Sequence, residues 1–202
     1  MKEFIKETEY IYRLKIPFDT VYTSVFLIEL GEGLALVDCA TTSTDVDGYI
    51  APALSALGYS LFDIDYLVIT HNHSDHAGGL ARICELAPTV TIVREVRALS
   101  RDVSTYSLPG HTEDFIGVFD SRSKALISGD GLQGAGVDKY RCSLQSKSAY
   151  IKTLEKIKED ESIEILLFSH AYEPWYKDSL FGRENVTDCL LKCAKYAKQP
   201  LK

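Results

Sequence analysis

Apolar residues in this 202-residue chain follow two different spacings, and these alternate along the sequence. Between Tyr10 and Ala40 the apolar runs "SVFLIEL" and "LALVDCA" flank a Gly-Glu-Gly turn, which predicts a hairpin of two partly buried strands. The next segment, from about Asp45 to Leu57, has the spacing of a helix. "DYLVITH" then has the length and β-branched content of a buried strand, and "DHAGGLARICELA" returns to helical spacing. The pattern predicts a strand, loop and helix unit at this point.

Strands and helices also interleave over the second half of the chain. Further strands are predicted at "TVTIVRE", "FIGVFD", "KALISGD" and "IEILLFSH", and amphipathic helices at "SKSAYIKTLEKIKED" and "NVTDCLLKCAKYAK". This order indicates an α/β sandwich with helices over the sheet faces. The chain has no internal repeat and no Pro/Gly/Ser linker, so we expect one domain over residues 1–202.

The charge balance narrows the classes of partner. A formal charge of −7 and a pI near 5.3 argue against a general attraction to nucleic acid or to an anionic membrane. The first residues, "MKEFIKETEYIYRLKIP", carry charges every few positions, and no apolar run is long enough to span a bilayer. We therefore expect a cytoplasmic protein with a small-molecule substrate. Its oligomeric state leaves no trace in the sequence.

The cysteines do not form a disulfide framework. They are odd in number and contain no CxxC pair: Cys39, Cys84, Cys142, Cys189 and Cys193. Cys189 and Cys193 lie four residues apart on a predicted helix, which favours packing in a core over metal binding.

The histidines indicate metal chemistry. Three of the chain's five histidines, with one aspartate, lie within the six positions of "HNHSDH". His71 and His73 follow a predicted strand two residues apart, so both imidazoles can reach one cation. Asp75 and His76 open the next helix and can serve a second cation about 3.5–4 Å from the first, the separation typical of two-metal sites.

The other two histidines, and one more aspartate, occupy similar positions. His111 follows the Pro-Gly turn of "LPGHT", His170 ends the apolar run "LLFSH", and Asp130 follows the strand in "LISGD". Loops at the ends of strands converge into ligand pockets. A single histidine at a strand end is commonly a hydrogen-bonded core residue, but a chain whose five histidines all lie there favours a metal site.

These motifs, in their order, resemble the metallo-β-lactamase superfamily. "LVDCA", "THNHSDHAGG", "LPGHT", "SGD" and "SH" are similar to its successive motifs, over roughly residues 24–170. The resemblance implies the αββα sandwich, two mixed β-sheets with helices on the outer faces. It further implies that one metal is held by His71, His73 and His111, and the other by Asp75, His76 and His170. Asp130 would bridge them, and Asp38 would hold a ligand or the loop in place.

The implied activity is hydrolysis by a hydroxide bound between two divalent cations, because such cations lower the pKa of a shared water towards about 7. Asp75 would orient the hydroxide and carry its proton. Imidazole and carboxylate ligands favour Zn²⁺, although Fe and Mn also suit them. An aspartate at the bridging position argues against the zinc β-lactamase branches. The layout is nearer to thioester hydrolases of the glyoxalase II kind and to lactonases.

Three alternatives stay open for the activity. The chain could instead be a phosphodiesterase or an iron-dependent oxidoreductase of the persulfide dioxygenase kind, both of which share this fold. It could also be a module that holds metal without turnover. For substrate contacts the sequence suggests Phe18 and Tyr22 in "PFDTVY", and Tyr172 with Trp175 after the last histidine. The segment from His76 to His111 is shorter than in many relatives, so the mouth beside His111 is expected to be open.

Overall fold

The computed structural model of the chain describes residues 3–18, 20–132, 136–137, 140–141, 143–171 and 176–198. Within it the chain forms two compact units: unit 1 comprises residues 1–94 and 98–103, and unit 2 comprises residues 95–97 and 104–202. The expectation of a single domain stays a prediction. In the described part of the chain, no helix has both the length and the apolar character needed to cross a membrane.

Unit 1 contains a six-stranded mixed sheet with the strand order β1-β2-β3-β4-β5-β6. Its strands are β1 (Ile5–Lys6), β2 (Ile11–Phe18), β3 (Val21–Glu29), β4 (Leu34–Val37), β5 (Ile64–Val68) and β6 (Thr91–Val93). Neighbours from β1 to β4 are antiparallel, whereas β4, β5 and β6 run parallel. The predicted hairpin is confirmed as β3 and β4. Gly31 and Gly33 in its turn have φ of 92° and 87°, values that glycine adopts at little cost.

The helices of unit 1 follow β4 and β5. They are α1 (Ser43–Asp45), a π-helical turn (Val46–Ile50), α2 (Ala51–Ala56), a 3-10 turn (Leu61–Asp63), α3 (Ser74–Ala77) and α4 (Leu80–Leu86). Leu14 and Leu27 of the sheet pack in one apolar core with Ile50, Leu54 and Ile83 of the helices. The helix predicted from about Asp45 to Leu57 is thus present, with a π-helical turn inside it.

Unit 2 contains a five-stranded mixed sheet with the order β13-β12-β9-β8-β7. Its strands are β7 (Val103–Ser107), β8 (Ile116–Asp120), β9 (Ala125–Gly129), β12 (Ile165–Phe168) and β13 (Ser179–Phe181), and a separate hairpin comprises β10 (Gly136–Val137) and β11 (Tyr140–Arg141). The helices α5 (Lys147–Glu159) and α6 (Arg183–Ala197) share a core with this sheet. β9 and β12 are parallel neighbours, so they end at the same edge.

The cysteine prediction is confirmed for Cys189 and Cys193, which are buried in the core of unit 2. Both are free thiols, as are Cys39 and Cys84. Burial raises the pKa of the Cys189 thiol, which keeps it protonated and unreactive at neutral pH. Cys142 lies outside the described residues.

Candidate metal centre

The histidine-rich loop of unit 1 follows β5, at the edge of the sheet where the parallel strand β4 also ends. Asp38 comes directly after β4, and its backbone N–H donates to the Val68 carbonyl at 2.8 Å. His73 precedes α3, and Asp75 and His76 lie on this helix. Because parallel strands present their carboxyl ends to the same side, the sheet places the Asp38 carboxylate beside the loop.

Asp38 is buried and its carboxylate is an acceptor for several groups. It accepts from the backbone N–H of Thr70 at 2.8 Å and from Nδ1 of His76 at 2.7 Å. A carboxylate can only accept here, so Nδ1 of His76 carries the proton. The lone pair of that ring is therefore on Nε2, the atom that faces Asp75 Oδ2 at 3.2 Å. Asp38 thus fixes the orientation of the His76 ring, and its role beside a metal ligand stays a prediction.

Two further ring nitrogens of the loop face each other. His71 Nε2 lies 2.8 Å from His73 Nδ1, and the ring centroids of His71 and His76 are 4.3 Å apart. Two nitrogens that bind one tetrahedral zinc at about 2.0–2.1 Å lie about 3.3 Å from each other. The nitrogens of His71 and His73 are hydrogen-bonded at a distance about 0.5 Å shorter than that, so a shared cation requires the two rings to separate slightly.

The loop between β4 and α1 packs against α3 through backbone contacts. Asp38 and Ala40 have φ of 64° and 60°, a left-handed conformation that costs energy for residues other than glycine. The N–H of Gly78 donates to the Ala40 carbonyl at 2.9 Å. A Cβ at Gly78 would lie 1.9 Å from the Thr41 oxygen, and one at Gly79 would lie 2.2 Å from the Cys39 oxygen. Glycine at positions 78 and 79 is therefore required for this approach.

Cys39 lies beside these residues but is not suited to bind metal. Burial, with a smaller effect from the Asp38 carboxylate, raises the pKa of its thiol to about 12. The protonated thiol donates to the His76 carbonyl at 3.2 Å. Since the thiolate is the form that binds metals, the donors of this loop are the imidazoles and carboxylate of the motif.

In unit 2, His111 is held by the segment that precedes α5. Its Nδ1 donates to the backbone carbonyl of Ser143 at 2.7 Å, so Nε2 carries the lone pair. The preceding turn is anchored by Thr153, whose hydroxyl donates to the Pro109 carbonyl at 2.7 Å. A backbone carbonyl supplies the contact to His111, so no residue type in the sequence could have indicated it.

Asp130 and His170 follow the parallel neighbours β9 and β12, and both are buried. Asp130 Oδ1 lies 3.2 Å from Nε2 of His170, and Oδ2 lies 3.9 Å from Nε2 of His111. The carboxylate therefore presents one oxygen to each of two imidazoles. Asp130 can therefore contribute a carboxylate oxygen to a metal site together with either ring.

The suggested substrate contacts are less well defined. Phe18 ends β2 and is partly buried, and Tyr22 lies on β3 with the Lys15 ammonium 4.7 Å from its ring centroid. Both belong to the β2–β3 hairpin of unit 1, and their contact with a substrate stays a prediction. Tyr172 and Trp175 lie outside the described residues.

The chain is similar to proteins of one superfamily over most of its length. Residues 18–100 match the family model of the metallo-beta-lactamase superfamily. A beta-lactamase-like protein 2 homolog of Caenorhabditis elegans is 28% identical over 165 residues, covering 71% of this chain and 54% of the relative. Hydroxyacylglutathione hydrolase 1 of Vibrio vulnificus is 29% identical over 126 residues, covering 54% of this chain and 49% of the relative. The chain thus spans about half the length of the curated relatives it matches.

A solved structure shares the fold over nearly the whole chain. A crystal structure of a metallo-β-lactamase from Erythrobacter litoralis superposes with a TM-score of 0.72 at 18% identity, covering 96% of this chain and 95% of that one. This likeness confirms the predicted fold class. The five motifs in order and the family-model match over residues 18–100 together support the resemblance of this chain to the metallo-β-lactamase superfamily, and the shared fold agrees with it.

Proposed function

We propose that this chain is a metal-dependent hydrolase that cleaves a small thioester or lactone with two divalent metal ions. The proposal assigns seven ligands to these ions: His71, His73, Asp75, His76, His111, Asp130 and His170. Three observations support it: the donor geometry within each unit, the match of residues 18–100 to the superfamily model, and relatives named as hydroxyacylglutathione hydrolases.

The positions of the two carboxylate oxygens of Asp130 are the main support for proposing two metal ions. Oδ1 faces His170, which the family resemblance assigns to one ion, and Oδ2 faces His111, which it assigns to the other. Nitrogen and carboxylate oxygen donors suit Zn²⁺, Fe and Mn, and they do not select Mg²⁺ or Ca²⁺, which prefer oxygen alone. The donor set therefore fits a pair of transition-metal ions.

The chemistry divides between the metals and Asp75. When bound, divalent cations would polarise the substrate carbonyl and activate a water molecule for attack on its carbon. The proposal assigns to Asp75 the role of accepting the proton of the attacking water. The Oδ2 atom of Asp75 lies 3.2 Å from Nε2 of His76, another residue of the proposed ligand set. The carbonyl C–S or C–O bond then breaks, and the proton passes from Asp75 to the leaving thiolate or alkoxide.

A substrate panel tests the proposal. Protein reconstituted with Zn²⁺, Mn²⁺ or Fe²⁺ should hydrolyse a hydroxyacylglutathione thioester or a small lactone in preference to a phosphodiester. Asp75→Asn keeps the size of the side chain but removes the base, and it should lower kcat by about 10²- to 10⁴-fold on the same substrate. Release of thiol or of acid, measured over time, gives both rates.

Metal-stripped protein is the control for adventitious hydrolysis. Preferential turnover of the phosphodiester would indicate a phosphodiesterase. Oxygen consumption with a persulfide would indicate a persulfide dioxygenase. A full metal complement with no turnover of any substrate would leave a metal-holding module. Each of these results contradicts the proposed activity.

A further inference from the structure

Thr70 lies between β5 and His71 and is buried. Its backbone N–H donates to Asp38 Oδ1 at 2.8 Å, and its hydroxyl oxygen lies 2.9 Å from both Asp38 oxygens. The same hydroxyl oxygen lies 3.1 Å from Nδ1 of His71. Thr70 therefore stands between a carboxylate and a candidate metal ligand.

The number of protons decides the direction of these hydrogen bonds. A hydroxyl has one proton, and an ionised carboxylate can only accept. The Thr70 proton therefore points at Asp38, and the oxygen is left to accept from His71. Nδ1 of His71 must then carry the proton of the neutral ring. Its lone pair lies on Nε2, which is the nitrogen that faces His73.

The same carboxylate also orients the ring of His76. Asp38 Oδ2 accepts from Nδ1 of His76 directly, at 2.7 Å, whereas His71 is reached through the hydroxyl of Thr70. One buried carboxylate therefore orients two imidazoles. In the proposed assignment these two rings bind different metal ions.

We propose that Thr70 is a positioning residue, whose hydroxyl fixes the tautomer and orientation of His71 so that Nε2 is presented to the metal. The inference rests on the proposed function only for the identity of His71 as a ligand. Through this hydroxyl, Asp38 orients His71 as well as His76, so one carboxylate orients a ligand of each proposed metal ion. Groups that hold a ligand in this way typically change metal affinity about 10- to 100-fold when removed.

Two substitutions separate the hydroxyl from the volume of the side chain. Thr70→Val keeps the shape but removes the oxygen, and Thr70→Ser keeps the oxygen. Histidine-labelled, metal-free protein in mildly alkaline buffer allows the tautomer of each ring to be assigned by long-range ¹H–¹⁵N spectra. We expect His71 to carry its proton on Nδ1 in the wild type and in Thr70→Ser, and to lose this preference in Thr70→Val.

Zinc affinity gives the second measurement. It should fall by about 10- to 100-fold in Thr70→Val and be restored in Thr70→Ser. His76 is the internal control, because Asp38 holds it directly and its Nδ1 proton should persist in all three proteins. A merely structural role for Thr70 would alter stability without changing the tautomer of His71 alone.

An Nε2–H tautomer for His71 in the wild type would overturn the inference, even if Thr70→Val did not fold. Unchanged zinc affinity and an unchanged tautomer in a folded Thr70→Val would do the same. Neither readout depends on turnover. A failure of the substrate panel would therefore contradict the proposed function and leave the role of Thr70 to be judged separately.

Discussion

Asp130→Ala is expected to lower kcat/KM by about 10³-fold or more, because loss of the ligand proposed to bridge the two metal ions would forfeit several kcal/mol of transition-state stabilisation. The carboxylate faces His170 Nε2 at 3.2 Å and His111 Nε2 at 3.9 Å, and alanine leaves both rings without it. The variant should bind fewer than two metal ions per chain. Steady-state kinetics on the best substrate of the panel, with metal analysis of the same sample, gives both values.

Cys189→Ala is the matched control for Asp130→Ala. It also shortens a buried side chain, but in the core shared by α5 and α6. It should cost about 1 kcal/mol of stability and leave kcat/KM and metal content nearly unchanged. Folding of both variants is checked by circular dichroism. If Asp130→Ala were folded and kept full activity, Asp130 would not be a metal bridge.

Gly78→Ala is expected to destabilise the protein by at least about 3 kcal/mol, at the upper end of what overpacking usually costs. Its new Cβ would lie 1.9 Å from the Thr41 oxygen and 2.5 Å from the Ser74 oxygen, and both are backbone atoms that cannot rotate away. Relief requires α3 or the loop that contains Thr41 to move, and a movement of α3 would displace Asp75 and His76. Urea unfolding of the metal-free protein measures the stability, and zinc titration measures the effect on the ligands.

Gly48→Ala is the control for the effect of replacing glycine by alanine where the new Cβ makes no clash. Gly48 lies in the π-helical turn, and a Cβ there has no atom within 4 Å. Alanine should stabilise the protein by about 0.5–1 kcal/mol, because it restricts the unfolded chain without a clash. If the two variants had the same stability, the close approach of α3 to the Thr41 backbone would be wrong.

The sequence predicts the fold class because each long element has a clear apolar period. The β3–β4 hairpin, α5 and α6 all appear where the pattern places them. β7 and β13 were not predicted: the first reads "VSTYS" and the second only "SLF", so neither has an apolar run that marks a strand. Both lie at the edges of their sheet, where hydrogen bonds to one neighbour are enough to define a strand.

The candidate ligands could be named from the sequence because all five histidines of the chain lie after predicted strands or turns, and their binding of metal stays a prediction. Among the contacts that orient these residues, the family resemblance suggested Asp38, whereas two others could not be predicted. Ser143 acts through its backbone carbonyl, and Thr70 through a hydroxyl whose role depends on a proton that only the three-dimensional arrangement assigns. The sequence also could not assign a role to Phe18 and Tyr22. An aromatic residue near a strand end gives the same sequence pattern whether it packs in a core or contacts a substrate.

The metal content of the purified wild-type protein tests the central claim most directly. After reconstitution with Zn²⁺ and removal of excess ion, elemental analysis against a measured protein concentration gives the stoichiometry. The seven-ligand account predicts two metal ions per chain, and activity that returns only as the second ion binds. A folded chain that is saturated and fully active with one ion, or that binds none, would contradict it.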